Sequence, residues 1–169
     1  MHTSTIEEAV KKGNFVIHPK GVSMWPMIRS GKDSVVINPH QGRLKKYDIP
    51  LYKDHIDRYV VHRIIEVTDT GYVICGDGLF EIEYDITDDD IIGVVTGFFR
   101  KEKYISADSK RYMRYVHFWV DNFYLRKPVI KITRKLRYAR FKVKETLYRI
   151  IKGKGMYEKG QETTTDSQK

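Results

Sequence analysis

A serine in the segment formed by residues 20–27 has surroundings that suit a nucleophile. Ser23 lies two residues after Gly21 and three residues before Pro26. Gly21 can adopt backbone angles closed to other residues and Pro26 fixes its own φ, so the turn between them is stiff. A serine in such a turn can present its hydroxyl for attack and its backbone N–H to an oxyanion. An isolated Gly-X-Ser is more typical of an ordinary loop, so the interpretation depends on the residues downstream.

A histidine further along the chain is the candidate base for this serine. His62 lies in a run rich in β-branched residues between Arg58 and Val67. A neutral imidazole near pH 7 can take the proton of a serine hydroxyl. A lysine would need a pKa lowered by desolvation, and this run contains no lysine. Standing alone, His62 would be interpreted as a structural histidine on a half-buried strand.

Four short blocks in a fixed order resemble type I signal peptidases and the related self-cleaving repressors of the SOS response. The resemblance covers about residues 18–100, and its blocks are Gly21-Val22-Ser23-Met24-Trp25-Pro26, Tyr47-Asp48-Ile49-Pro50-Leu51-Tyr52, Val61-His62-Arg63-Ile64-Ile65 and Gly76-Asp77-Gly78. The resemblance implies a serine endopeptidase of the histidine type that cleaves a leader or signal-type peptide after small residues.

The same resemblance assigns roles to the remaining site residues. It implies that Asp77 orients His62 and stabilises the imidazolium, as the third member of a triad does. It places the oxyanion at the Ser23 backbone N–H beside Gly21, and Met24 near the substrate. The family's asparagine after the aspartate is Gly78 here, and the segment that follows departs from the family pattern. Glu83 or Asp85 could therefore be a second acid of the site.

The elements expected to position these residues are mostly β-strands. Strands are predicted at residues 33–37, 47–52, 58–67, 72–75 and 91–99, with a hairpin at the turn of residues 69–71 and a short helix near the N-terminus. The sequence thus predicts a mainly β fold, a small coiled antiparallel domain over residues 1–105. A basic, largely helical extension is expected over residues 106–155, and a disordered polar tail over residues 156–169.

Charge separates the front of the chain from the back. Residues 1–99 carry 11 Lys and Arg against 15 Asp and Glu, whereas residues 100–160 carry 19 against 5. A basic amphipathic helix is predicted from Pro128, with an apolar stripe that suits an anionic membrane surface. The stripe consists of Val129, Ile132, Leu136, Val143, Leu147 and Ile150. Packing against the domain or a partner is the main alternative, and nucleic acid, which a helix with many cations also suits, is the less favoured one. A repressor is not expected, because about twenty residues before Ser23 leave no room for a helix-turn-helix.

Several classes of site and segment are not expected. The single cysteine, Cys75, excludes an internal disulfide. The N-terminus does not look like a signal peptide, and no run of apolar residues is long enough for a transmembrane helix. Neither a metal site nor a cofactor site is predicted, because the histidines and acidic residues lack ligand spacing. We therefore expect a cytoplasmic protein or one peripheral to the inner face of the membrane.

A non-catalytic module that binds a peptide or a membrane is the main alternative to a peptidase, and nucleic-acid binding through the tail is the third interpretation.

Overall fold

The computed structural model describes residues 5–165, and the surroundings of side chains over residues 5–151. Its elements are α1 (Ile6–Lys11), β1 (Phe15–Ile17), β2 (Asp33–Asn38), β3 (Pro50–Lys53), β4 (Tyr59–Val61), β5 (Arg63–Val67), β6 (Tyr72–Cys75), β7 (Ile82–Ile86), a 3₁₀ turn (Asp88–Asp90), β8 (Ile91–Arg100), β9 (Lys103–Ser106), α2 (Lys110–Asp121) and α3 (Phe123–Thr165). The chain divides into two units after Arg126.

Two antiparallel sheets make up most of the first unit. The larger sheet has the order β1-β2-β8-β3-β4, with β9 also paired to β8, and the smaller sheet has the order β5-β6-β7. Every strand pair in both sheets is antiparallel. The prediction of a mainly antiparallel β fold followed by a helical segment is confirmed at this level.

The run predicted as one strand over residues 58–67 is divided between the two sheets. β4 pairs with β3 in the larger sheet, and β5 pairs with β6 in the smaller one. His62 is the single residue between them. β-Branched residues favour both segments equally, so their pattern does not show where the chain leaves one sheet for the other. The candidate base therefore lies at the junction of the two sheets.

Helix α2 belongs to the first unit and helps to form its main core. Tyr112, Val116 and Val120 are buried among residues of the larger sheet such as Leu51 and Phe98. Tyr112 and Trp119 of the aromatic segment before the basic helix thus pack inward, whereas Phe118 is exposed, and the first unit extends to Arg126 rather than to residue 105. A smaller core lies around the second sheet and contains Tyr52, Ile64, Tyr72, Ile74 and Ile86.

Helix α3 begins at Phe123 and continues through Pro128, the residue predicted to start it. Proline removes one backbone donor from a helix, and here the helix continues past that loss. The structure has helix as far as Thr165, and the last four residues of the predicted disordered tail lie outside the described residues. Within the described part of the chain, no helix combines the length and the hydropathy needed to cross a bilayer.

A candidate serine-histidine site

The turn that carries Ser23 is fixed by hydrogen bonds on both sides of this residue. Gly21 has a φ of +90°, which a residue with a side chain rarely adopts. The N–H of Trp25 donates to the carbonyl of Val22 at 3.1 Å, and the N–H of Ile28 donates to that of Met24 at 2.8 Å. Among the described residues, nothing accepts a hydrogen bond from the Ser23 N–H. The half-buried Ser23 therefore keeps a backbone donor available beside its hydroxyl.

The Gly-Asp-Gly loop packs directly against the backbone of this turn. The N–H of Gly78 donates to the carbonyl of Ser23 at 2.7 Å. A Cβ on Gly78 would lie 2.7 Å from the carbonyl oxygens of Val22 and Trp25, and one on Gly76 would lie 2.6 Å from that of Ser23. These separations are too short for a real Cβ contact. Glycine at position 78 is thus required by the close approach of two backbone segments.

Replacing Gly78 by alanine should cost about 2–3 kcal/mol of unfolding free energy, because either the loop or the Ser23 turn must move. Gly42→Ala is the matched control. Gly42 has a φ of +68° but open space around it, so its replacement should cost only about 1 kcal/mol of backbone strain. Chemical denaturation of both variants measures the difference. Equal costs would show that crowding against the turn is not what requires glycine at position 78.

His62 is held by a carboxylate and a tyrosine. Its Nδ1 lies 2.6 Å from Oε1 of Glu83 and 3.2 Å from the hydroxyl of Tyr52, and that hydroxyl donates to Oε2 of Glu83 at 2.8 Å. Burial acts to raise the pKa of Glu83, but the hydrogen bonds from His62 and Tyr52 outweigh it and hold the pKa below its ordinary value. An ionised carboxylate beside Nδ1 of His62 accepts a hydrogen bond from the Nδ1–H. The neutral imidazole then carries its free lone pair on Nε2.

Ser23 and His62 line the same cavity, which has a volume of about 620 Å³. Gly21 and Met24 also line it. The other apolar lining residues are Ile6, Ile17, Ile28, Leu51, Val60, Val61 and Leu79. Between the two described side chains there is no direct hydrogen bond. Such bonds are often long before substrate binds and shorten in the complex, so the shared cavity is the relevant geometry.

Asp77 forms no hydrogen bond or ion pair with His62, so the structure differs from the predicted role of this residue. Its two carboxylate oxygens accept hydrogen bonds from Nε and Nη2 of Arg63 at 2.8 and 2.7 Å, and both side chains are 1% exposed. Burial acts to lower the pKa of Arg63, but the charges and hydrogen bonds of Asp77 and Tyr112 together outweigh it, and the pKa is raised. Asp85, the third candidate acid, is exposed. Of the three acids, Glu83 contacts the histidine.

Residues of helix α2 anchor this buried ion pair, and the sequence did not suggest them. The hydroxyl of Tyr112 accepts a hydrogen bond from Nη2 of Arg63 at 3.0 Å. The indole N–H of Trp119 donates to the backbone carbonyl of Asp77 at 2.9 Å. Helix α2 thus fixes the loop that in turn supports the Ser23 turn. The only sequence signal for this contact is the density of aromatic residues in α2.

Cys75 is fully buried and lies outside the lining of the cavity. Burial raises the pKa of its thiol to about 11, although a guanidinium N–H of Arg126 donates to Sγ at 3.1 Å. Because the thiolate is the reactive form, the folded protein should resist iodoacetamide at pH 8 and react in strong denaturant. Intact mass after a timed incubation measures this. Rapid alkylation of the folded protein would show that the thiol is accessible.

Comparison of the chain with family models, with curated proteins and with solved structures finds no match.

Proposed function

We propose that this protein is a serine endopeptidase in which Ser23 is the nucleophile and His62 the general base. The observation that supports it best is that Ser23, on a fixed turn, shares one cavity with a His62–Glu83 pair. Glu83 is the orienting acid in this proposal, in place of Asp77. The fold would then be of signal-peptidase type, as the four sequence blocks suggest.

The chemistry follows from the atoms available. Ser23 Oγ bonds to the substrate carbonyl carbon while its proton passes to Nε2 of His62. The oxyanion that forms accepts a hydrogen bond from the Ser23 N–H. The imidazolium, stabilised by Glu83, gives its proton to the departing amine as the C–N bond breaks. Water then hydrolyses the ester on Ser23, with His62 again acting as the base.

The cavity suits an extended peptide with apolar side chains. Its walls are mostly apolar, and β4, which contributes three of the lining residues, is the end strand of the larger sheet. The backbone of an end strand can pair with an extended peptide, which gives affinity without dependence on sequence. A leader or signal-type peptide, cut after small residues, is the substrate that the resemblance to signal peptidases suggests.

Helix α3 offers a second surface, which we propose binds an anionic membrane. Between residues 127 and 151 it carries nine lysines and arginines and one glutamate. The apolar stripe of the sequence prediction is exposed, since Val129, Ile132, Leu136, Val143, Leu147 and Ile150 are each between 41% and 59% accessible. An exposed aliphatic stripe between rows of cations matches a membrane interface better than nucleic acid. Such binding would place the peptidase at the inner face of a membrane.

Vesicles provide the test of this surface. The wild type should bind vesicles containing phosphatidylglycerol and bind neutral phosphatidylcholine vesicles weakly. Leu136→Asp with Leu147→Asp should weaken binding by at least about tenfold, because two aliphatic groups leave the interface. Tyr138→Asp with Phe141→Asp is the charge-matched control away from the stripe. Equal losses in the two variants would mean that charge alone, and not the stripe, governs the affinity.

A peptide library tests the proposed activity. Wild-type protein is incubated with leader-type peptides that end in Ala-x-Ala, with anionic vesicles present and absent, and the products are identified by mass spectrometry. Cleavage at one peptide bond supports the peptidase. Peptide that binds but is never cut would contradict it and favour a non-catalytic peptide-binding module on the same fold.

A further inference from the structure

A second cavity, of about 550 Å³, lies on the first unit and shares no lining residue with the cavity of Ser23. Pro26 and Met27, from the end of the Ser23 turn, form one wall. The other walls come from the end of β8, from β9 and from the first turns of α2. Neither the proposed nucleophile nor the proposed base reaches this cavity, so its function is separate from hydrolysis.

The lining combines aromatic rings with cations and includes no acidic side chain. The rings are Phe98, Tyr104, Tyr112 and Tyr115, and the cations are Arg100, Lys103 and Arg111. Arg100 is occupied, because its Nη2 donates to Asp33 at 2.8 Å and to the carbonyl of Met27 at 2.6 Å. Lys103 and Arg111 are exposed and form no ion pair with any described residue. Two cations at this cavity are therefore free to bind an anion.

We propose that this cavity binds a small amphipathic anion, which has an apolar or aromatic body and a phosphate or carboxylate head. Lys103 and Arg111 bind the head, since a guanidinium and an ammonium together match the charge and the acceptors of either group. The rings of Phe98, Tyr104 and Tyr112 enclose the body. Binding does not require Ser23 or His62, so a test that contradicts the peptidase leaves this proposal unaffected, and the reverse also holds.

Octyl phosphate is a suitable probe, and the protein's own fluorescence reports its binding. The two tryptophans of the chain are Trp25 and Trp119. Trp25 directly precedes Pro26 of the cavity wall, and Trp119 stacks on Tyr115 with ring centroids 5.8 Å apart. Titration with octyl phosphate below its micellar concentration should give a saturable change with one site per chain.

Charge-matched double variants of the full-length chain locate the site. Lys103→Gln with Arg111→Gln should weaken binding by at least about tenfold. Lys110→Gln with Arg114→Gln removes the same charge from exposed positions of α2 outside the cavity and should leave the affinity within about twofold of wild type. Equal affinities in the two double variants would overturn the proposal.

Three further probes define the ligand class. Octanol that binds as tightly as octyl phosphate would overturn the role of the anionic head. Inorganic phosphate that displaces octyl phosphate at equal concentration would overturn the role of the apolar body. Vesicles of phosphatidylglycerol distinguish the sources of such an anion. Weaker vesicle binding by the Lys103/Arg111 variant than by its control supports the site with a lipid headgroup as ligand. Equal vesicle binding, with octyl phosphate affinity still lost in that variant, supports it with a free amphiphile.

Discussion

Replacing Ser23 by alanine is expected to lower the rate of peptide cleavage by at least about 10⁴-fold. The substitution removes the oxygen that would form the covalent ester, and alanine supplies no other nucleophile at this position. The Ser23 hydroxyl has no hydrogen-bond partner among the described residues, so its removal leaves no group unpaired. The unfolding free energy should therefore change by no more than about 0.5 kcal/mol. Product formation and chemical denaturation, measured on the same preparation, separate the two effects.

Ser30→Ala is the matched control, because Ser30 is exposed and lines the same cavity. That variant should retain wild-type activity and stability. A Ser23→Ala variant that still cleaves peptide would exclude the serine mechanism. Loss of activity in both variants would instead indicate that the cavity tolerates no loss of polarity, and Ser23 would have no special role.

The types of the proposed nucleophile and base are evident in the sequence, whereas the acid that contacts the histidine is not. Ser23 is marked by Gly21 and Pro26 on either side of it, and His62 by a β-branched run without lysine. These are local signals. The partner of His62 Nδ1 depends on how β6 and β7 pair, since Glu83 lies opposite Ile74 in a register that contains a shift. No pattern within one strand predicts such a register.

The same holds for the strands and helices: a local sequence pattern predicts some of them, and others depend on contacts with distant parts of the chain. The longer strands β2 and β8 are predicted because β-branched residues and flanking turns mark them. β1 and β9 have only three and four residues and were missed. β7 was missed because Glu83 and Asp85 lie within five residues, and acidic residues are depleted in strands. The inward packing of α2 depends on Tyr112 and Trp119 meeting Arg63 and Asp77 across the unit, contacts that only the tertiary structure shows.

Replacing Glu83 by glutamine should lower kcat by about 10²- to 10⁴-fold while the protein remains folded. The glutamine amide can donate to Nδ1 of His62, which favours the tautomer with its proton on Nε2, and that tautomer cannot act as a base. The wild type should also lose stability at low pH. The pKa of Glu83 is lowered in the folded protein, so its stabilising charge is present above the ordinary carboxylate range and is lost as the pH falls through the lowered pKa. Unfolding free energies measured between pH 3 and pH 8 should show this contribution in the wild type and lack it in Glu83→Gln.

Asp77→Asn is the matched comparison, because it makes the same chemical change in the acid that the resemblance first suggested. It should cost about 3–5 kcal/mol of unfolding free energy, because Arg63 is left as a buried charge without a full partner. The fraction of Asp77→Asn that remains folded should cleave peptide with a kcat within about tenfold of the wild type, since Asp77 acts on the Ser23 turn only through the loop that carries it. A stable Asp77→Asn variant with a larger loss of kcat than Glu83→Gln would reverse the assignment and make Asp77 the orienting acid. The opposite pattern, stability lost at Asp77 and turnover lost at Glu83, would separate the residue that holds the loop from the residue that holds the base.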